Sequence, residues 1–296
     1  MSRFSDAVRA GQVLLMDGAM GTELHRAGLA AGECFELWNL THPDRVTAIH
    51  RAYIRSGARC VLTNTFQANP EALAKRGIRG KLHAIWTAAL SLARLAAGCE
   101  HFVLADVGPI LDMKSSREFK NPGALEELVP ELSAADAILF ETCSDPNVLL
   151  TLRECRRLLD ASTPPLLLSL SYRRIGNGML QTLSGHQPEW FAERASESGA
   201  AALGVNCGRD IGIDDMLEIL RRYRQVSDLP LFARPNAGTP SQIGERCIYS
   251  LTPDSLGHRA REVLEAGCVL IGGCCGTTPE HIAALRPVVE AWNAEH

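Results

Sequence analysis

Two adjacent cysteines, Cys274 and Cys275, stand between glycines in IGGCCGTTPEHI (271–282), just ahead of a helical pattern. Neighbouring thiols seldom pair with each other, because a disulfide wants Cα atoms roughly 4.4–6.8 Å apart and a particular torsion. A metal ion or a reactive centre is the sharper use of such a pair. Other residues able to do chemistry stand at or near the ends of short apolar runs: Asp17, Asn64, Asp106, Glu141, Asn206 with Cys207, and Asn236. Cys34, Cys60, Cys99, Cys155, Cys247 and Cys268 sit singly and read as small core residues. Cys143, beside Glu141, is left without an assignment.

The apolar runs are the strand candidates: VLLMDGA (13–19), CVLTNTF (60–66), HFVLADVGP (101–109), AILFETC (137–143), LLLSLSY (166–172), AALGVNC (201–207), PLFARPN (230–236) and CVLIGGCC (268–275). Between them lie segments with apolar residues at three- and four-residue spacing, such as DRVTAIHRAYIRSG, KLHAIWTAALSLARLAAG, PNVLLTLRECRRLLD and DDMLEILRRYRQV. Gly57, Gly98, Gly199 and Gly267 stand where helices should stop before the next strand. Strand–helix alternation with near-continuous apolar strands predicts an α/β fold, a (β/α)8 TIM barrel, over a single domain, 1–296. A doubly wound open sheet is the alternative. The stretches Gly21–Pro43 and Ala237–Pro253 exceed a minimal loop and are expected on the catalytic face.

In a barrel the C-terminal strand ends open on one face, where the active sites of such enzymes lie. The sixth and eighth strands are separated by one strand, so Cys207 can face Cys274 and Cys275 across that mouth. Three thiolates with a fourth position open describe a catalytic zinc site, since structural sites close with four protein ligands. Gly272, Gly273 and Gly276 give the backbone room to aim both sulfurs at one ion. On spacing alone, a redox-active thiol pair or buried cysteines of no chemical consequence remain alternatives. Asn206 reads either as a group supporting its neighbour Cys207 or as a strand-end turn residue.

Composition bounds the rest. In 296 residues, 46% apolar and 22% charged, there is enough apolar material for a substantial core and no case for disorder. The net charge is −4 with scattered basic residues, which argues against nucleic acid as a partner. No stretch approaches the ~18 uncharged apolar residues of a membrane span. The N-terminal segment lacks the apolar core of a secretory signal, so a cytoplasmic protein with reduced cysteines is expected.

DGAMGTEL (17–24), TNTFQAN (63–69), GVNC (204–207) and GGCCGTTPEHI (272–282) together resemble the zinc-dependent homocysteine S-methyltransferases, from about Val13 onward. That family includes the S-methylmethionine-using enzymes and the homocysteine-binding module of cobalamin-dependent methionine synthase. The resemblance implies a (β/α)8 barrel, a Zn2+ ion on Cys207, Cys274 and Cys275, and homocysteine contacts at Asp17, Gly18, Ala19 and Glu141. Zinc would hold the acceptor thiol as thiolate, the form that attacks a methyl group. The acidic pair suits the ammonium of homocysteine, and the Gly18–Ala19 amides suit its carboxylate. Betaine-using members carry aromatic residues where this chain has Gln67 and Thr142, and aromatic faces are what hold a quaternary ammonium. The expected donor is therefore a sulfonium, S-methylmethionine or S-adenosylmethionine. The alternative is a stand-alone homocysteine-activating module that takes the methyl from a separate corrinoid protein, because no folate or cobalamin domain follows within the 296 residues. A metal-dependent hydrolase on the same fold is disfavoured, since none of the nine histidines stands at the C-terminal end of a strand candidate.

Overall fold

The structure, a computed structural model, describes residues 2–109, 111–112, 117–118, 123–159, 164–208, 210–243 and 246–296. Among them, eight parallel strands form one sheet: Leu14–Leu15 (β1), Cys60–Leu62 (β2), Phe102–Val107 (β3), Ala137–Cys143 (β4), Leu166–Leu170 (β5), Ala200–Asn206 (β6), Leu231–Arg234 (β7) and Cys268–Ile271 (β8). Each pairs with its neighbours in chain order, and β1 pairs with β8 through Leu14 with Leu270 and Leu15 with Ile271. The ring closes at β1 and β2, where Met16 bridges Cys60, Arg59 N–H donates to Leu15 O at 2.7 Å, and Asp17 N–H donates to Cys60 O at 2.9 Å. This is the predicted (β/α)8 barrel, with no sheet edge left open.

Every residue of β3 and β5 is buried, because one face packs inside the barrel and the other against helices. Alternation along the strands sorts the two sets. Leu14, Met16, Leu62, Leu104, Leu139 and Phe232 fill the interior together with Phe4 of the N-terminal helix Arg3–Arg9, whose ring meets Phe102 edge-on at 5.3 Å. Leu15, Ile138, Phe140, Leu168, Leu203 and Ile271 face outward into a second core shared with the helices.

The long outer helices are Pro43–Arg55 (α1), Leu82–Ala97 (α2), Asn147–Leu158 (α3), Pro188–Ala195 (α4), Ile213–Val226 (α5), Pro253–Glu265 (α6) and Pro279–Glu295 (α7). Their buried faces carry the predicted three- and four-residue spacing, as in Val46, Ile49 and Tyr53 of α1. Gly57, Gly98, Gly199 and Gly267 all follow helices with left-handed φ, as expected of stop signals. Asp160, at the end of one predicted helical pattern, lies outside the described residues. α7 opens with Thr278 and His281 bonding each other's backbone N–H. Near its other end, the Asn293 amide brackets Val13, accepting from its N–H at 2.8 Å and donating to its carbonyl at 3.0 Å. No described helix is long and apolar enough to cross a membrane.

Most strands are shorter than expected; β7 ends at Arg234 and β8 at Ile271, so Asn236, Cys274 and Cys275 lie just beyond them, and β1 and β2 are shortened most. β1 ends at Leu15 because the next residues turn into the mouth, where the Asp17 carboxylate accepts from Leu62 N–H at 2.8 Å. β2 ends at Leu62, which places Asn64 in a turn, where Thr65 N–H donates to Thr63 O. The excursion before α1 holds the short helices Met20–Arg26 and Trp38–Thr41, and the one after β7 holds the hairpin Pro240–Ile243 with Arg246–Tyr249.

Gly204 on β6 shows how tight the barrel interior is. A Cβ added there would run into the Phe232 ring. Gly204→Ala is expected to destabilise the protein by about 1–3 kcal/mol through overpacking. Urea denaturation should show that loss, and a Gly204→Ala/Phe232→Leu double variant should recover part of it.

Candidate active site and metal centre

Three thiols meet at the C-terminal mouth of the barrel. The Cys207, Cys274 and Cys275 sulfurs all lie within 4.8 Å of one another, and Cys207 and Cys275 are 3.8 Å apart. Cys274 is buried, Cys207 half-buried, and Cys275 exposed at the rim. The local backbone explains how two adjacent residues aim at one point. Gly272 has no space for a Cβ, which would stand 2.6 Å from Met16 Cβ, and Gly273 N–H donates to Asp17 O at 2.9 Å. After the pair, Gly276 takes left-handed φ under the Tyr249 ring. Thr277 turns back, its N–H and hydroxyl both donating to Cys274 O at 3.0 and 2.7 Å. Of the three glycines expected to give conformational freedom, Gly276 uses positive φ, while Gly272 and Gly273 are required by close approach.

Cys207 itself has φ +47°, a left-handed conformation that costs a non-glycine residue roughly 1–2 kcal/mol. That conformation is what puts its sulfur beside the other two. The trio shares a proton deficit. Hydrogen bonds from the Cys274 and Cys275 thiols, with help from Gly208 N–H and the Asn236 amide, lower Cys207 to about 3. The same Cys207 sulfur pushes Cys274 up to about 11 and Cys275 far above the ordinary thiol range. One thiolate is favoured and two further ones are opposed, which is the charge pattern a divalent cation reverses. Zinc–sulfur bonds of about 2.3 Å place tetrahedral sulfurs about 3.8 Å apart, the separation found between Cys207 and Cys275.

Asn206 is fully buried and ties the trio to the wall. Its Oδ1 accepts from Ser169 Oγ at 2.5 Å and Thr142 N–H at 3.1 Å. Its Nδ2 donates to Thr142 Oγ1 at 2.8 Å and faces Cys274 Sγ at 3.6 Å. Thr142, at φ +60°, coincides with a register shift between β4 and β5, so Glu141 and Cys143 are set differently from the strand before them. Cys143 packs in the outer core rather than in the mouth.

Asp17 and Glu141 are brought together as the resemblance implied, but on a cation of the protein itself. Arg234, 3% exposed at the end of β7, donates Nη1 to Glu141 and Nη2 to Asp17 at 3.2 Å. Burial raises Asp17 to about 7 and Glu141 to about 7 against the pull of that guanidinium. Asp106, also buried, is raised well above the carboxylate range by burial and by Glu141. The Ala19 N–H, expected to be free for a carboxylate, is already taken by Thr277 Oγ1 at 3.2 Å, because the β1 and β8 loops pack face to face. The Tyr53 hydroxyl of α1 buttresses the same seam by donating to Ala19 O at 2.9 Å. Gly18 is required there, since a Cβ would fall 2.7 Å from Thr277 Oγ1.

Sequence reasoning gave Arg234 no role and counted Asp106 only as one polar strand end among several. The available signal was a charge inside an otherwise apolar run, PLFARPN, which a strand buried on both faces tolerates only when the charge is paired. Asn64 is set apart from this cluster; its amide bonds Asn39 Oδ1 at 3.2 Å and Phe35 O at 2.8 Å. Gln67, where a donor-binding aromatic was considered, is exposed and accepts from Arg76.

Comparison with known proteins agrees with this geometry. Residues 14–289 match the family model described as Homocysteine S-methyltransferase. Proteins called methionine synthase from Mycobacterium leprae (strain TN) and Mycobacterium tuberculosis (strain ATCC 25618 / H37Rv) are each 32% identical, over 96% and 95% of this chain. The chain spans about a quarter, 25%, of the length of these relatives. The metallated form of the homocysteine methyltransferase MmuM from Escherichia coli superposes with a TM-score of 0.73 at 26% identity, covering 94% of this chain and 96% of that one. Its oxidized form gives 0.71 at 25% identity, covering 93% and 96%. A match that takes in both the barrel and the three cysteines at its mouth places this chain in the homocysteine S-methyltransferase family.

Proposed function

We propose that the protein methylates the thiol of homocysteine to give methionine, with Zn2+ held by Cys207, Cys274 and Cys275 and a sulfonium such as S-methylmethionine or S-adenosylmethionine as donor. The observation that carries this reading is the trio of sulfurs within 4.8 Å, spaced for a tetrahedral ion and open toward solvent on the Cys275 side. Zinc in such a site supplies the Lewis acidity that lets an acceptor thiol lose its proton at neutral pH. The protein's own residues do the rest. Asn206 and Thr277 hold the Cys274 side chain and carbonyl in place. The carboxylates of Asp17, Asp106 and Glu141 face one buried guanidinium, which leaves the mouth short of positive charge and suited to a cationic substrate group. In the transfer, the methyl carbon leaves the sulfonium sulfur and bonds to the acceptor sulfur. The donor leaves as a neutral thioether, and the acceptor's proton has already gone to solvent.

A second reading is supported by the curated relatives, of which this chain spans 25%. On that reading the barrel is the homocysteine-activating part and a corrinoid protein brings the methyl group.

Cys207→Ala, Cys274→Ala and Cys275→Ala are each expected to lose stoichiometric zinc, read by elemental analysis, and to drop homocysteine methylation to background. Retention of both by any one variant would remove that residue from the proposed ligand set. Zinc-loaded protein given homocysteine should form methionine with S-methylmethionine or S-adenosylmethionine and not with betaine. Turnover with methylcobalamin alone would decide for the corrinoid reading.

A further inference from the structure

A second concave site lies at the opposite end of the barrel from the thiols. A cleft of about 430 Å³ opens between the end of α1 and the C-terminal half of α7, where β1, β2 and β3 begin. Its floor is apolar, made by Val13 and Leu15 beside Ile54 of α1 and Val289 of α7. Its rim carries two guanidiniums, Arg59 and Arg286, against one carboxylate, Glu290. A cavity of this size, with an apolar floor and a few polar groups at its edge, has the make-up of a small-molecule site. Barrel enzymes do their chemistry at the other face, so this cleft is separate from the mouth.

Both cations are anchored from behind and open in front. The Arg59 backbone is part of the barrel ladder, its N–H donating to Leu15 O at 2.7 Å and its carbonyl accepting from Phe102 N–H at 2.8 Å. Among the described residues, its guanidinium has no hydrogen-bond or ion-pair partner. The Arg286 stem lies across Gly57, where an added Cβ would stand 2.6 Å from Arg286 Cδ. Its Nε donates to Glu290 at 2.6 Å, which leaves both terminal nitrogens for another acceptor. Glu290 is therefore already engaged, and the positive charge of Arg59 has no counterpart in the cleft.

A planar guanidinium matches two oxygens of one anion, so two guanidiniums call for an anion with more than the two oxygens of a carboxylate. A phosphate monoester has three terminal oxygens and carries most of a double charge at neutral pH. Its carbon group would lie on the apolar floor. We infer that this cleft binds a small organic phosphate monoester, with Arg59 and Arg286 taking its oxygens and Val13, Leu15 and Val289 its carbon body. The floor belongs to the strand that closes the ring, since Leu15 pairs with Ile271 of β8. An occupant there stabilises the closed barrel by mass action, without touching the thiols.

The test is calorimetric binding of phenyl phosphate and of inorganic phosphate to zinc-loaded protein. Phenyl phosphate should bind at one site, about tenfold or more tightly than inorganic phosphate, because its ring is removed from water. Arg59→Gln and Arg286→Gln should each weaken phenyl phosphate about 10- to 100-fold, the range of one charged hydrogen bond, with zinc content and the urea midpoint as in the wild type. Cys274→Ala should bind it as the wild type does. Equal affinity for the two phosphates overturns the assignment of the floor, and with it the monoester. Absence of phenyl phosphate binding, or wild-type affinity in both arginine variants, overturns the site. Binding lost in Cys274→Ala but kept in both arginine variants moves the ligand to the metal and overturns it as well.

Discussion

The site depends on a seam in which the backbones of β1 and β8 approach more closely than side chains would allow. Gly272 lies against Met16 and Asp17, and Gly273 and Gly18 both lie against Thr277, with no room for a Cβ at any of the three. Three glycines just past the ends of two strands thus bring Asp17, Cys274 and Cys275 to one place. The hydrogen bond from Gly273 N–H to Asp17 O continues the strand ladder one step into the mouth, so Cys274 and Cys275 inherit the rigidity of the sheet. Precision of this kind is what a zinc site with a vacant coordination position needs, because no fourth protein ligand corrects an error in the other three.

Charge is the second organising constraint. A barrel interior lined with leucine and phenylalanine does not solvate ions, yet its mouth gathers three carboxylates, a guanidinium and three thiols. Arg234 makes this possible by bridging Asp17 and Glu141. A buried ion pair adds little stability over a well-packed apolar replacement, although removing one partner is costly. The cluster is therefore better understood as a device for binding than for folding. Its surplus of acid is complementary to a small charged molecule.

Much of this was legible in the sequence, because the barrel's rules are local. Continuous apolar runs marked the strands, glycines marked the helix ends, and strand order then brought Cys207 opposite Cys274 and Cys275. What the pattern did not reveal depended on side-chain direction across the barrel. Arg234 lies 217 residues from Asp17 and 93 from Glu141, and nothing in either neighbourhood announces the other. The occupation of Ala19 N–H by Thr277 was hidden for the same reason, since loop-to-loop packing has no periodicity to read. Strand lengths were overestimated where polar side chains replace ladder hydrogen bonds, as Asp17 does with Leu62.

The bracket between Asn293 and Val13 bears on how the molecule comes into being. The two residues are 280 apart, and the ring closure beside them joins Leu14 to Leu270 across a similar span. Non-local pairing of this kind is slow and leaves apolar strand faces uncovered in the interval. Cys207, Arg234, Cys274 and Cys275 all follow Asp17, Asp106 and Glu141 in the sequence, so a nascent chain carries the three carboxylates before it has either the guanidinium or the thiol trio. The carboxylate side of the mouth is thereby synthesised before the thiol side, and the three sulfurs come together only once the β8 segment has joined β1.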